Sequence, residues 1–193
     1  MMLSNLTNLV DVDEELERER VKYVPVPTVL QLADEYHLDP AYVSAWVSLA
    51  SKGDPVFKHM VNGVSTTYIL RSRVLLKYIQ EHKISHVDAC SMYGLLGVYY
   101  YWAFGKGFRE EPEALFDLDV AAPYFTALVR RLYKGHNGDI PSMLINHYFG
   151  GIVRDISEFH RILGHNKTFL SRMYDKWKGY YEHRKLWHPT KIS

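Results

Sequence analysis

Apolar residues near the end of the chain recur at the spacing of an amphipathic helix. Phe159, Ile162 and Leu163 occupy positions i, i+3 and i+4 and therefore share one helix face. Ser157 precedes them and suits the N-cap, where its hydroxyl can accept a hydrogen bond from the first turn. Gly164 follows, and glycine readily adopts the positive φ that a sharp exit from a helix needs. The pattern predicts a first helix that ends in a tight turn.

A second apolar stripe lies just beyond this glycine, at Phe169, Leu170 and Met173. It leaves five polar residues facing outward, namely Asn166, Lys167, Thr168, Ser171 and Arg172. Asn and Arg can contact adenine and guanine edges in a bidentate manner, while Lys, Ser and Thr suit phosphates. The segment 155–178 therefore predicts a helix-turn-helix that enters the DNA major groove. A helical hairpin with a solvated polar face is the alternative.

The same spacing occurs twice more, in 28–47 and in 84–104. Each copy has a small residue, then a turn residue four positions later and inward residues ten and thirteen positions later. These are Ala33, His37, Val43 and Trp46 in the first copy, Cys90, Gly94, Tyr100 and Ala103 in the second, and His160, Gly164, Leu170 and Met173 in the last. The recurrence predicts an array of small helical modules.

The outward faces of the copies differ. The first copy presents a face with almost no donors, which suits packing: Asp39, Pro40, Ala41, Ser44 and Ala45. The second presents an apolar face, which we assign to the core or to a dimer interface: Leu96, Gly97, Val98, Tyr101 and Trp102. Only the C-terminal copy carries residues suited to DNA.

These patterns predict a mostly α fold of tandem helix-turn-helix modules, with one small β-hairpin wing. Asn62-Gly63 is a strong hairpin signal between two strand-like runs, 56–59 and 65–69. Four basic residues around this wing are candidate backbone contacts: Lys52, Lys58, Arg71 and Arg73. The predicted parts are an acidic helical arm and linker (1–27), a helix-turn-helix module with the wing (28–82), an aromatic-rich helical middle (83–150) and a basic C-terminal module (151–193).

Composition and charge agree with a compact protein that has a basic end. The chain has 193 residues, 47% of them apolar, which is enough for a sizeable core. Residues 1–20 hold six acidic and two basic side chains, whereas residues 151–193 hold nine Lys or Arg against four Asp or Glu. The basic end suits phosphate attraction and adds four residues to the predicted DNA-binding set: Arg154, His165, Lys176 and Lys178.

Several classes of protein and site are disfavoured. Cys90 is the single cysteine, which excludes an intrachain disulfide. We find neither a membrane-spanning run nor a signal peptide, so we expect a cytoplasmic protein, in a bacterium or an infected cell. Nuclease motifs, a metal-binding cluster and a phosphate loop are not recognisable, so we expect neither catalysis nor a cofactor.

The run Ser-Glu-Phe-His-Arg-Ile-Leu-Gly-His-Asn-Lys-Thr-Phe-Leu-Ser-Arg at 157–172 resembles the helix-turn-helix repeats in the DNA-binding tails of phage homing endonucleases. His160 departs from the small residue usual there. Such tails are similar to free-standing repressors of phages and phage satellites. Residues 28–80 also resemble the winged helix-turn-helix of excisionase and MerR-type proteins. The resemblance implies DNA targeting without a nuclease.

We therefore expect a sequence-specific double-stranded DNA-binding protein that represses transcription by covering a promoter, as a homodimer on an inverted repeat. A protein–protein adaptor built of helical modules is the first alternative. The DNA-targeting part of a phage nuclease or replication system is the second.

Overall fold

The computed structural model describes residues 24–60, 72–148 and 156–186. Over these ranges the chain forms eight α-helices, one 3₁₀ helix and three short strands. In chain order they are α1 (Val26–Tyr36), α2 (Pro40–Leu49), β1 (Lys58–Met60), α3 (Arg73–Glu81), α4 (His86–Ala89), β2 (Ser91–Tyr93), β3 (Val98–Tyr99), α5 (Tyr100–Gly105), the 3₁₀ helix (Pro112–Phe116), α6 (Leu118–His136), α7 (Ile140–Tyr148) and α8 (Ile156–His183). The predicted mostly α class is confirmed.

Helices α1 and α2 form the tight helical pair predicted from the first copy. His37 ends α1 with a left-handed backbone (φ 53°), and its neighbour Leu38 donates its amide to the Ala33 carbonyl. Asp39 then caps α2, since its carboxylate accepts from the Ala41 amide at 2.8 Å. Pro40 follows at the first helical position, where its fixed φ suits a helix start.

The second copy is not a helix-turn-helix. Between α4 and α5 the chain instead forms the hairpin of β2 and β3, with Met92 opposite Tyr99. Gly94 makes the turn with φ 72°, and a Cβ there would lie 2.6 Å from the Leu115 carbonyl oxygen. The sequence predicted the turn at Gly94 correctly, but the residues on both sides of it favour β structure and form paired strands.

Strand β1 completes a three-stranded antiparallel sheet, in the order β1-β2-β3, among the described residues. Its register places Lys58 opposite Tyr93 and His59 opposite Met92. The sequence predicted strand character at 56–59, but β1 pairs with β2, from the middle part of the chain. The turn at Asn62-Gly63 and the second strand of the predicted wing lie outside the described residues.

The core is centred on α2. All residues from Pro40 to Ser48 are buried, so this helix has neighbours on every side. Helix α8 packs most extensively on α2, and α7 packs on both α6 and α8. One continuous apolar cluster extends from Val24 to Tyr181 and includes buried residues of every predicted part that the structure describes. Within the described residues, no helix is long and apolar enough to cross a membrane.

Candidate nucleic-acid interface

Helix α8 runs without a break from Ile156 to His183, a length of about 42 Å at 1.5 Å per residue. The helix-turn-helix predicted over 155–178 is therefore wrong. Gly164 lies inside the helix and is exposed, and apart from adjacent residues and the helix's own backbone no heavy atom lies within 4 Å of a Cβ placed on it. An exposed glycine weakens a helix by only about 1 kcal/mol relative to alanine, which packing on either side readily exceeds.

That packing comes from a single buried seam along α8. Its members follow one another at helical spacing on both sides of Gly164: Ile162, Asn166, Leu170, Met173, Trp177 and Tyr181. Small residues on α2 allow this seam to approach closely. Ser44 Oγ and Tyr181 OH are 2.7 Å apart, and the Trp177 indole donates to Ser48 Oγ at 3.3 Å. The prediction that the face of 39–45 serves packing is confirmed.

Asp39 connects the two helices at their polar edge. Tyr174 OH donates to Oδ2 of Asp39 at 2.6 Å, while the other carboxylate oxygen caps α2. Burial raises the pKa of Asp39, although these hydrogen bonds oppose the rise. The carboxylate therefore joins α2 to α8 from a partly buried position.

Asn166 is 3% exposed, and its side-chain amide donates to the Ile162 carbonyl at 2.8 Å. It belongs to the buried seam and cannot reach a base, so its predicted role in DNA recognition is wrong. The prediction assumed that a new helix with its own phase begins after Gly164. In the continuous helix, position 166 follows Ile162 by one turn and points the same way.

Another edge of α8, about a third of a turn from the buried seam, carries exposed basic residues at intervals of four or seven positions. We call these the basic row: Arg161, His165, Arg172, Lys176 and His183, with Thr168 and Gly179 between them. Two exposed carboxylates border the row: Asp175 lies three residues after Arg172, and Glu182 precedes His183. Arg161 and His183 are about 33 Å apart along the axis. Three of its five basic members are Arg or Lys, so the row carries positive charge along the longest described helix.

The structure brings together only part of the predicted DNA-binding set. His165, Thr168, Arg172 and Lys176 share the basic row. Lys167, Ser171 and Lys178 lie about a third of a turn away, near the edge of the buried seam. Arg154 lies outside the described residues. Arg161 and His183 were not predicted as contacts, although their seven-residue phase with Thr168 and Lys176 was visible in the chain.

The four basic residues predicted to contact DNA around the wing also have different outcomes. Lys58 lies 2.5 Å from Asp88 and 3.5 Å from Glu113, and the hydrogen bond to Asp88 raises the pKa of its ammonium group. Two carboxylates thus satisfy its charge, and its predicted phosphate contact is not supported. Lys52 and Arg73 are exposed, at the end of α2 and the start of α3. Arg71 lies outside the described residues.

His147 is the most perturbed histidine among the described groups. Its ring stacks on Trp46 with centroids 3.6 Å apart, and Nδ1 is 2.9 Å from Tyr42 OH. Complete burial lowers the pKa of His147 to about 3. The ring is enclosed by aromatic side chains, so it supports the core. In the described parts of the chain, no cluster of three His, Cys, Asp or Glu side chains could bind a metal ion.

The geometry thus makes the basic row of α8 the candidate nucleic-acid interface. Comparison of the chain with family models, with curated proteins and with solved structures finds no match.

Proposed function

We propose that this chain binds double-stranded DNA through the basic row of α8 and represses transcription by occupying a promoter. The observation that supports the proposal is the row itself: three Arg or Lys and two His side chains on one exposed edge of a helix, with Asp175 and Glu182 at its border. Phosphate neutralisation supplies most of the affinity of such a surface for DNA.

Specificity in this proposal comes from the middle of the row. Arg172 can grip a guanine edge, and the neighbouring Thr168 can contact a base or a thymine methyl group. The major groove is about 12 Å wide and admits a helix whose other side remains packed on its protein. Helix α8 meets this requirement because its buried seam fixes it to α2 and α7. No cofactor is part of the proposal.

A pair of matched double variants tests the interface. Arg172 and Lys176 are exposed four residues apart on α8, and Arg73 and Lys77 are exposed with the same spacing on α3. We expect Arg172→Gln/Lys176→Gln to weaken duplex binding and to reduce the slope of log K against log salt by about 0.9 for each phosphate that is no longer neutralised. Arg73→Gln/Lys77→Gln removes the same charge and should leave both quantities unchanged. If only the α3 pair matters, the interface lies at the predicted wing instead.

We also propose that the chain acts as a homodimer on an inverted repeat, since one helix covers only a few base pairs. The aromatic second copy does not supply the interface, because Tyr100, Tyr101 and Trp102 are buried within the chain. Selection from a random duplex pool, without added metal, should enrich an inverted repeat. Enrichment of a single half-site would contradict the dimer, and a pool left random would contradict specific recognition.

A protein–protein adaptor is the second candidate, favoured by three exposed valines. Val56, Val74 and Val87 are 67%, 69% and 50% exposed. Exposed apolar side chains mark a protein contact only when they form one patch, so the adaptor requires these three valines to bind one partner together. Binding through them would change little with salt, whereas binding through the basic row weakens steeply as salt rises.

A further inference from the structure

A second group of cations lies on α6 and on the loop after α5. Lys106, Arg130, Arg131 and Lys134 are all exposed. Arg130 and Lys134 are four residues apart, and Arg131 and Lys134 three apart, so their side chains share one region of the helix surface. None of the ion pairs found within the described residues includes these four cations.

Two of the cations converge on one indole ring. Lys106 Nζ lies 4.9 Å from the centroid of the Trp102 ring, and Arg131 Cζ lies 5.3 Å from it. Trp102 is 9% exposed, and its indole N–H donates to the Tyr124 carbonyl at 2.9 Å, which fixes the ring. The fixed Trp102 ring thus holds an ammonium group and a guanidinium group from two elements beside it.

Ordinary structural roles account for only part of this cluster. The negative end of the α6 dipole attracts cations in the last turn, which explains Lys134. Arg130 donates to the Tyr36 carbonyl at 3.2 Å, a hydrogen bond that ties α6 to α1. Cation–π contacts with Trp102 account for the positions of Lys106 and Arg131, but they leave both charges without a counter-ion among the ion pairs found. A bound anion would neutralise this excess positive charge.

We infer that Lys106, Arg130, Arg131 and Lys134 form a second phosphate-binding surface, whose ligand is the sugar–phosphate backbone of double-stranded DNA. This inference rests on the proposed function for its ligand and adds a contact surface separate from the basic row. Arg131 suits bidentate binding of phosphate oxygens, and the lysines act as mobile point charges beside it. The surface contributes affinity and salt dependence without sequence specificity.

Acetylation footprinting of the full-length wild-type chain locates the contacts directly. Lysines are acetylated with and without a 30-base-pair random-sequence duplex at low salt, and protection is measured by mass spectrometry. We expect protection of Lys106 and Lys134 together with Lys176, and no protection of Lys77 on α3. Arg131→Gln/Lys134→Gln should also lower the salt slope by about 0.9 for each phosphate left without its cation, while Lys77→Gln/Lys83→Gln, at two exposed lysines not assigned to either surface, should not.

The outcomes separate the two proposals. Protection of Lys176 alone, with the salt slope of Arg131→Gln/Lys134→Gln unchanged, would overturn the second surface and leave the basic row in place. No protection at any of the three lysines would overturn both. Protection of Lys106 and Lys134 by phosphatidylserine vesicles but not by duplex would replace the inferred ligand with a membrane surface. Lys106→Arg/Lys134→Arg, which keeps both charges, should retain wild-type binding.

Discussion

His147 occupies the point where α2, α6 and α7 meet, and its environment decides its charge. Trp46 covers one face of the ring, Phe125 lies 5.4 Å from it, and Tyr42 is its hydrogen-bond partner. Each of these groups accommodates a neutral imidazole, but none compensates a positive one. A single buried side chain therefore makes the folded state sensitive to acid.

The pH dependence of stability should reveal this residue. In the unfolded chain His147 regains its ordinary pKa of 6.5, whereas in the folded chain its pKa is about 3. Between these values the unfolded state binds one more proton, so the free energy of unfolding falls as pH falls, by up to about 1.4 kcal/mol per pH unit. Above pH 6.5 His147 adds no pH dependence. Urea unfolding at pH 7.5, 6 and 5 measures the decline.

The matched comparison is His147→Gln, which cannot titrate. It should be less stable than wild type at neutral pH and should lose stability less steeply below pH 6.5. Equal slopes for the two proteins would show that His147 becomes protonated in the folded state. If the variant does not fold, the ring resonances of His147 in the wild-type NMR spectrum at pH 5 should still report a neutral imidazole.

At the scale of the helix, Gly164 distinguishes a continuous α8 from a helix-turn-helix. The residue is exposed, it is helical, and an added Cβ would contact nothing within 4 Å. Gly164→Ala should therefore raise the free energy of unfolding by about 0.5–1 kcal/mol, because alanine loses less backbone entropy in a helix. Gly94→Ala is the control and should destabilise, because that turn needs φ 72° and the space beside Leu115. A lower free energy of unfolding for Gly164→Ala would instead support the predicted turn at Gly164.

The same helix shows what the sequence could and could not predict. Phe159 and Met173 belong to the two apolar stripes of α8 and are separated by fourteen residues, which is close to four helical turns. The stripes are therefore in phase, and this signal of one helix was available but was outweighed by the glycine. The pair α1 and α2 was predicted correctly because His37 and Asp39 mark its turn locally. The pairing of β1 with β2 depends on contacts between distant residues, which local patterns do not encode.

The candidate interface was predicted only in part, because the predicted turn at Gly164 gave the residues after it the wrong helix phase. Arg172, Lys176, Thr168 and His165 were selected by residue type, and the helix phase places them together. Asn166 was selected by type alone, and its phase buries it. The stacking of Trp46 on His147 joins residues 101 positions apart, and nothing in either local pattern indicates it.

For the whole molecule, the burial of α2 by α8 joins segments from opposite ends of the chain. Ser44 and Tyr181 are 137 residues apart in sequence and form a hydrogen bond, and both belong to the interior. Small modules that folded independently would unfold one at a time. A shared core predicts that secondary structure and aromatic packing disappear together. We expect far-UV circular dichroism and tryptophan fluorescence to report one coincident thermal transition.

Trp177→Ala tests this coupling directly. The indole is 2% exposed between α8 and α2, so its removal should cost about 3–5 kcal/mol. In a cooperative fold this substitution lowers the thermal midpoint by the same amount in circular dichroism and in the fluorescence of the remaining tryptophans, which include Trp102. A second transition at the wild-type temperature would instead assign residues 72–148 to an independent unit. In that case α2 and α8 would fold together without residues 72–148. The basic row would belong to that unit, because the buried seam holds α8 on α2 and decides which residues of α8 face solvent.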